Sequence, residues 1–140
     1  MIVLDTNVVS EFAKPPALRN ERVRHWVDGV GEHDLWISAI TVAEMKTGVE
    51  LMAAGKRRDD VRRRVQRAIE QFAGACLPFD VLAAEEYGRI YASRRRLGRP
   101  IDVMDAQIAA IAISTGFAIA TMNTKDFEGI DGLKVIDPSA

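Results

Sequence analysis

The feature that most constrains the fold is an alternation of short apolar runs with longer amphipathic segments along the whole chain of 140 residues. The apolar runs predict strands, and they lie at residues 2–4, 35–37, 75–79, 117–121 and 134–136. The segments between them predict helices at residues 7–13, 21–30, about 38–53, 57–72, 81–97 and 102–114. Strands that alternate with helices favour an α/β fold with a central, mainly parallel sheet and helices on both of its faces.

No repeat, low-complexity tract or linker divides the sequence, and the length is typical of a single domain over residues 1–140. The two helices between about residues 39 and 73 form a predicted arm-like pair. Cys76 is the one cysteine and lies in an apolar run, which predicts a small buried side chain without an internal disulfide. No segment has the length of a membrane span and no basic leader precedes one, so we expect a cytoplasmic protein without a membrane partner.

Four carboxylates stand beside predicted strands or apolar helices: Asp5, Glu44, Asp105 and Asp126. Asp5 and Asn123 come directly after predicted strands, and parallel sheets bind ligands beyond the carboxyl ends of their strands. Carboxylates that converge there would repel one another, and a divalent cation would remove that repulsion. Because the chain offers only two histidines besides these oxygen donors, the set favours Mg²⁺ or Mn²⁺ over zinc.

Several of these residues also have a structural interpretation. Asp5 could serve only as the N-cap of the helix that follows it, and Thr6 or Asn7 could take that role instead. Asn123 and Asp126 could simply form a turn, because both residue types favour turns. Either of these two residues could supply the last oxygen ligand, and the sequence alone leaves the choice open.

Glu44 and Asp105 lie within predicted helices. Glu44 belongs to a capping box if Thr41 is the N-cap, whereas its carboxylate stays free if Ser38 is the N-cap. Asp105 lies on an apolar face of mostly small side chains, which predicts packing against the sheet and a carboxylate that needs a partner. Asp102, one turn earlier, is expected to cap the same helix.

The net charge of −1 predicts no general attraction to nucleic acid, but the basic residues are concentrated in two stretches. One stretch covers residues 56–67 and the other covers residues 94–99. Arginines in such patches can bind RNA phosphates, and we expect this role for Arg57, Arg58, Arg62, Arg94 and Arg95. The alternative is that both stretches are solvated helix faces, partly balanced by neighbouring acidic residues.

Four short segments carry a recognisable pattern. They lie at residues 4–7, 38–44, 105–110 and 121–127, and they read LDTN, SAITVAE, DAQIAA and TMNTKDF, with Gly48 following the second. In this order they resemble the PIN-domain family over essentially the whole chain, and most closely the VapC-type toxins of prokaryotic toxin–antitoxin pairs, including the FitB-like branch. The resemblance implies a three-layer α/β/α fold. It also implies an endoribonuclease, dependent on Mg²⁺ or Mn²⁺, that acts as the toxin of a type II pair by hydrolysing RNA phosphodiester bonds.

The resemblance further implies roles for individual residues and a set of partners. Asp5, Glu44 and Asp105 correspond to the core acidic residues and metal ligands, and Glu44 either binds the metal or positions water. Where some relatives carry an acidic residue this chain has Asn123, so Asn123 or Asp126 completes the site. The expected partners are an RNA substrate, a cognate antitoxin that inserts a segment into the acidic groove, and a second copy of the chain in a homodimer.

Two other functions fit the same residues. The chain could be a non-catalytic binding module whose acidic groove captures a basic segment of a partner protein. It could also be a phosphatase or nucleotidyl hydrolase that uses the same carboxylates on a small molecule. Metal-dependent RNA cleavage separates the nuclease from the binding module, and dependence on the arginine patches separates it from the small-molecule hydrolase.

Overall fold

One five-stranded sheet forms the centre of the structure, a computed structural model that describes residues 1–140. The strands are β1 (Ile2–Leu4), β2 (Leu35–Ser38), β3 (Cys76–Leu77), β4 (Ala118–Ala120) and β5 (Val135–Ile136). All neighbouring strands are parallel, and their order across the sheet is β3, β2, β1, β4, β5. The predicted α/β class with a parallel sheet of short strands is therefore confirmed.

Six α-helices connect the strands: α1 (Thr6–Ala13), α2 (Glu21–Val30), α3 (Ala39–Glu50), α4 (Lys56–Glu70), α5 (Val81–Arg96) and α6 (Val103–Thr115). Single 3₁₀ turns lie at Pro16–Leu18, Glu32–Asp34 and Thr124–Phe127. All six helices were predicted, with small differences at their ends. Helix α3 ends at Glu50 rather than near residue 53, because Leu51 is 82% exposed and would add no buried contact to a further turn. No helix combines the length and the apolar composition that a membrane span requires.

Helices cover both faces of the sheet, because successive strand residues point to opposite sides. Leu4 and Ala120 contribute to one hydrophobic core, which α1, α2, α3 and α4 complete. Val3 and Ile119 contribute to a second core on the other face, where α5 packs against α6. The fold thus has the three layers that the sequence implied, with a sheet buried between two sets of helices.

The helical pair formed by α3 and α4, predicted over residues 39–73, packs onto the body of the protein. The apolar side of α4 supplies Val65 and Ala68 to the first core, and Phe72 follows directly after the helix. Phe72 also contacts the ring of Phe12 edge-on, with 5.6 Å between the ring centroids. The inner side of the pair is therefore part of the main core.

Strand β3 is shorter than predicted and lies at the edge of the sheet. Pro78 has no backbone N–H and cannot continue the ladder, and the ring of Phe79 packs edge-on against Tyr87 of α5, 6.1 Å away. The prediction that Cys76 is buried is wrong: its side chain is exposed, because an edge strand of two residues leaves it uncovered.

Candidate functional site

The site lies at the carboxyl edge of the sheet, where β1, β2 and β4 end. Asp5 follows β1, α3 with Glu44 follows β2, and Thr121 follows β4. Helix α6 leads directly into β4 and therefore runs back across the sheet, which brings its first turn and Asp105 to the same edge. The strand order reverses between β1 and β4, and such switch points are where open α/β sheets bind ligands.

Asp5 is held by the backbone and by two side-chain hydrogen bonds. Its N–H donates to the carbonyl of Ala120 over 2.9 Å, which fixes β1 against β4 at the point where both strands end. Its Oδ1 accepts the N–H of Thr6 (2.8 Å), and its Oδ2 accepts the hydroxyl of Thr121 (2.8 Å). Asp5 is only 5% exposed. It is both the N-cap of α1 and a site carboxylate, so the two interpretations of Asp5 do not exclude each other.

The Thr121 hydroxyl connects the two strand ends, and sequence reasoning missed its role. Its oxygen accepts the N–H of Asn123 (3.0 Å) and the side-chain amide of Asn7 (3.3 Å), while Oδ1 of Asn7 accepts the N–H of Met122 (3.3 Å). With both acceptor positions used, the single hydroxyl proton is free for Asp5. The available signal was a polar residue directly after β4, the counterpart of Asp5 after β1.

Glu44 points into the site because Ser38, and not Thr41, is the N-cap of α3. The Ser38 hydroxyl accepts the N–H of Thr41 over 3.2 Å, so Glu44 is not used in a capping box. Instead the Thr6 hydroxyl donates to Oε1 of Glu44 over 2.8 Å. The Thr41 hydroxyl lies 2.9 Å from the Thr6 hydroxyl. Because the single proton of Thr6 is donated to Glu44, Thr41 is the donor to Thr6, and the hydrogen bonds run from Thr41 to Thr6 to Glu44.

Asp105 lies in the first turn of α6 and is partly buried. The helix is capped by Asp102, whose carboxylate accepts the N–H of Met104 over 3.1 Å, as the sequence predicted. The predicted apolar face is also confirmed, since Ile108 and Ala109 are fully buried in the second core. Packing of that face against the sheet directs Asp105 toward the strand ends.

Asn123 and Asp126 lie beside the site in the segment after β4. Asn123 is the residue before the 3₁₀ turn, and Asp126 lies within that turn and donates its N–H to the carbonyl of Asn123 over 3.1 Å. Both side chains are exposed. Only Asp126 carries a charge, which acts on both Asp5 and Asp105 by raising their pKa values. The choice between these two residues therefore stays open, with a charge at Asp126 and a neutral amide at Asn123.

Burial is the largest influence on the two carboxyls that accept hydrogen bonds. Burial raises the pKa of Asp5, and the bonds from Thr121 and Thr6 partly oppose that rise. Burial likewise raises the pKa of Glu44, against the hydrogen bond from Thr6. The charge of Asp5 also raises the pKa of Glu44, which places the two carboxylates within electrostatic reach of each other.

Asp105 has the most strongly shifted carboxyl of the site. Burial is the largest cause that raises the pKa of Asp105, and the negative charges of four neighbouring carboxylates raise it further, to about 7. These carboxylates belong to Asp5, Asp102, Asp126 and Glu44. All the charges that act on Asp105 are therefore negative, and no hydrogen bond to its carboxylate opposes them. A cation at this edge of the sheet would relieve the repulsion.

The donor set is chemically suited to a hard divalent ion, although the side chains do not enclose one as they stand. The converging groups offer only carboxylate, amide and hydroxyl oxygens, the ligands preferred by Mg²⁺ and Mn²⁺. No three Asp, Glu, His or Cys side chains lie close enough together to hold a metal ion. Asp5 and Glu44 are oriented by hydrogen bonds, whereas the Asp105 carboxylate accepts none.

A groove leads away from the acidic site between α1 and the pair formed by α3 and α4. Its volume is about 440 Å³, and Thr6 and Glu44 are among the residues that line it. Its floor is largely apolar, and two basic residues, Lys14 and Arg64, also line it. The groove thus joins the carboxylates to a surface that suits an amphipathic segment.

The arginines predicted to bind RNA fall into two groups. Arg57, Arg58 and Arg62 lie on α4, where Arg62 pairs with Glu50 (2.9 Å) and Arg57 and Arg58 have no ion pair. Arg95 is exposed near the end of α5. Arg57 and Arg95 are exposed, whereas Arg58 and Arg62 are partly buried and Nε of Arg58 is shielded from solvent without a hydrogen-bond partner.

Arg94 does not belong to that surface, so its predicted contact with RNA is corrected. It is only 5% exposed, and its guanidinium donates to three backbone carbonyls inside the protein. The reason is helical spacing: Arg94 lies four residues after the buried Ile90 and therefore shares its inward face. The inward position of Arg94 is hard to recognise within a run of arginines, because successive residues of a helix point to different faces.

The fold and the site together define an α/β protein with an acidic, oxygen-donor site at the switch point of a parallel sheet. The chain belongs to the PIN domain family, whose family model matches residues 2–133.

Two proteins and one solved structure are similar to this chain over nearly its full length. The VapC ribonuclease Y4jK of Sinorhizobium fredii is 42% identical over 139 residues, covering 99% of this chain and 97% of that protein. The toxin FitB of Neisseria gonorrhoeae is 40% identical over 132 residues, covering 94% of each. The crystal structure of FitAcB from Neisseria gonorrhoeae superimposes with a TM-score of 0.86 at 39% identity, covering 99% of this chain and 98% of that one.

Proposed function

We propose that this chain is a metal-dependent endoribonuclease and the toxin of a type II toxin–antitoxin pair. The observation that carries the proposal is the set of carboxylates at the carboxyl edge of the sheet, with Asp105 surrounded by negative charge and unopposed by any hydrogen bond. The names of the relatives, a VapC ribonuclease and a toxin, support the same reaction class and the same biological role.

Mg²⁺ or Mn²⁺ would be held by Asp5, Asp105 and Glu44, with Asn123 or Asp126 completing the site. When bound, such an ion lowers the pKa of a water molecule and neutralises charge that develops on the phosphoryl oxygens. The residues of the chain then have separate tasks. Asp5 is fixed by Thr121, and Glu44 is oriented by Thr6 so that its second oxygen can position the attacking water.

The arginines of α4 would bind the RNA backbone on either side of the cleaved bond. Arg57 suits this role best, because it is exposed and has no ion pair. Arg58 also has no ion pair but is partly buried, and Arg62 already pairs with Glu50 and Asp59. Contacts to phosphates add affinity without reading sequence. Single-stranded or loop RNA is the expected substrate, because its bases can be splayed away from the backbone.

The expected protein partners are a cognate antitoxin and a second copy of the chain. The groove beside Glu44 has room for an extended or helical antitoxin segment whose basic end could enter the acidic site. Exposed apolar side chains on α5 and α6 support a homodimer, among them Val81, Leu82 and Val103. Since its substrate is RNA, the cytoplasm is the proposed location of the active protein.

A second candidate function rests on the same group of negative charges around Asp105. An acidic groove that holds no metal would still bind an arginine-bearing segment of a partner protein, without catalysis. The two functions make opposite predictions for purified protein: the nuclease cleaves RNA when metal is added, and the binding module does not.

The decisive experiment is to sequence the RNA ends produced by the purified chain with Mg²⁺, with Mn²⁺ and with a chelator. The nuclease hypothesis expects defined new ends that appear only with metal. A parallel Asp5→Asn preparation measures contaminating ribonucleases, because these are unaffected by the substitution. Identical ends in both preparations, or no ends in either, would leave the binding module as the better explanation.

A further inference from the structure

Arg94 of α5 is a buried cation that has no acidic partner. Its Nε donates to the carbonyl of Arg99 over 2.8 Å, and its Nη1 donates to the carbonyls of Asp126 (2.7 Å) and Glu128 (3.2 Å). No carboxylate forms an ion pair with it anywhere in the structure. A guanidinium is costly to bury, so its neighbours are expected to depend on it closely.

The surroundings of Arg94 leave no room for a ligand. The crevice beside it, between α5 and residues 129–131, has a volume of about 10 Å³, which is at the lower limit for one water molecule. A nucleic acid phosphate therefore cannot reach the guanidinium without rearrangement of the protein. The role of Arg94 has to be sought in what it holds together.

The three carbonyls belong to the two connections that border the acidic site. Arg99 lies between α5 and α6, and its carbonyl bond ties this connection to the last turn of α5. Asp126 and Glu128 lie at the end of the segment that leaves β4. The other end of that segment is held at Asn123, whose N–H donates to the Thr121 hydroxyl. Residues 123–128 are thus fastened at both ends, at one end by Thr121 and at the other by Arg94.

We propose that Arg94 is a positioning residue, which fixes the segment 123–128 so that Asn123 and Asp126 stay at the carboxyl edge of the sheet. Arg94 touches neither metal nor RNA in this scheme, and acts through the carbonyls that it binds. The proposal rests on the proposed function only for its effect on catalysis. Its effect on the order of the segment is independent of any reaction.

The first test is hydrogen–deuterium exchange of the full chain in three variants. Arg94→Leu keeps an apolar but shorter side chain on the buried face and removes all three hydrogen bonds. Arg94→Lys keeps the charge and some donors but loses the planar fork. Arg89→Leu is the matched control, since Arg89 is on the same helix and its guanidinium binds Glu86 at the surface (Nε to Oε2, 3.0 Å).

For Arg94→Leu we expect the amides of residues 123–128 to exchange faster by on the order of tenfold, with the core strands unchanged. Arg94→Lys should fall between this variant and the wild type, and Arg89→Leu should match the wild type. Wild-type exchange in this segment of a folded Arg94→Leu protein would overturn the proposal. If Arg94→Leu does not fold, the Arg94→Lys variant decides. Faster exchange of residues 123–128 in that variant supports the proposal, and unchanged exchange overturns it.

The second test separates positioning from contact with RNA. If the chain cleaves RNA, Arg94→Leu should lower kcat by about 10- to 100-fold while changing KM by no more than about twofold. A raised KM that depends less on salt concentration, together with wild-type hydrogen–deuterium exchange, would mean that Arg94 binds RNA. If wild-type protein cleaves no RNA, the proposed function fails, whereas the exchange measurement still judges the role of Arg94.

Discussion

Asp5 and Asp105 face the same site from opposite sides, and the protein treats them differently. Asp5, on the strand side, accepts hydrogen bonds from Thr121 and from the N–H of Thr6, which partly offset the effect of its burial. Asp105, on the helix side, has no such donors, and its neighbours raise its pKa to about 7. The strand side therefore holds a carboxylate in a fixed orientation. On the helix side, the charge of the carboxyl depends on what else is bound.

The largest expected effect comes from removing the charge on either side. Asp5→Asn and Asp105→Asn should each reduce RNA cleavage by on the order of a thousandfold, because several kcal/mol of transition-state stabilisation by the metal would be lost. Asp34→Asn is the matched control, since Asp34 is exposed just before the amino end of β2, away from the site. Circular dichroism should be native in all three variants. Wild-type rates in either site variant would remove that residue from the proposed ligands.

The strand side can be weakened without changing its charge. Thr121→Val keeps the shape of the side chain but removes the hydroxyl that Asp5 accepts, so cleavage should fall by about 10- to 100-fold. The same change should lower the free energy of unfolding by about 1–3 kcal/mol, because buried polar groups lose their partner. Thr121→Ser keeps the hydroxyl and should retain most of the activity. Equal rates in the Val and Ser variants would show that the hydroxyl does not orient Asp5.

The helix side makes a prediction about pH. The pKa of Asp105 is about 7 in the folded protein against an ordinary value of 3.8, so its protonated form stabilises the fold. In chelator, the contribution of Asp105 to the free energy of unfolding should therefore be greatest below about pH 4 and be lost as the pH rises through about 7. The size of the fall is on the order of 2 kcal/mol, after allowance for partial solvent screening.

Denaturant titrations over this pH range, with chelator and with Mn²⁺, measure the effect. Asp105→Asn should lose the part of the pH dependence that comes from Asp105, and it should be at least as stable as the wild type near pH 8. It should also lose most of the stabilisation by Mn²⁺, which reaches about 2.7 kcal/mol for wild type at a hundredfold excess over Kd. If Asp105→Asn were strongly destabilised in chelator and still fully responsive to Mn²⁺, Asp105 would be a structural carboxylate.

The smallest effect should separate the two residues after β4. Asp126→Ala removes a charge that acts on both Asp5 and Asp105, whereas Asn123→Ala removes only a neutral oxygen donor. We therefore expect the larger loss of cleavage, about tenfold, for Asp126→Ala at saturating Mg²⁺. A larger loss for Asn123→Ala would assign the last ligand to the amide. Unchanged rates in both variants would reduce the site to three carboxylates.

Much of the strand side could be predicted from the sequence, because its signals are local. Asp5 directly follows an apolar run and precedes a helix, so its position at the end of β1 and its capping role both come from neighbouring residues. Asp102 as the cap of α6 and the apolar face behind Asp105 were likewise predictable from helical spacing. Local chemistry of this kind depends little on how the chain packs.

The hydroxyl contacts and the buried arginine depend on packing between distant segments. The bond from Thr6 to Glu44 joins α1 to α3, so it exists only once both helices lie on the same face of the sheet. Thr41 had a local explanation as a cap, and that explanation was wrong. Arg94 was grouped with surface arginines because its sequence neighbours are charged, although its spacing from Ile90 pointed inward.

Asp5 accepts the Thr6 N–H at the start of α1, whereas the start of α6 belongs to Asp102, which leaves Asp105 without a capping duty. Loss-of-function alleles at the two positions should therefore differ in the amount of folded chain that they leave in a cell. A substitution at Asp105 would yield abundant but inactive protein, and this protein would still bind any inhibitor made for the active form. Asp5→Ala would yield less of it, because alanine cannot cap the helix. Asp105 is therefore a better position than Asp5 to substitute when an inactive form is needed for co-expression or crystallisation.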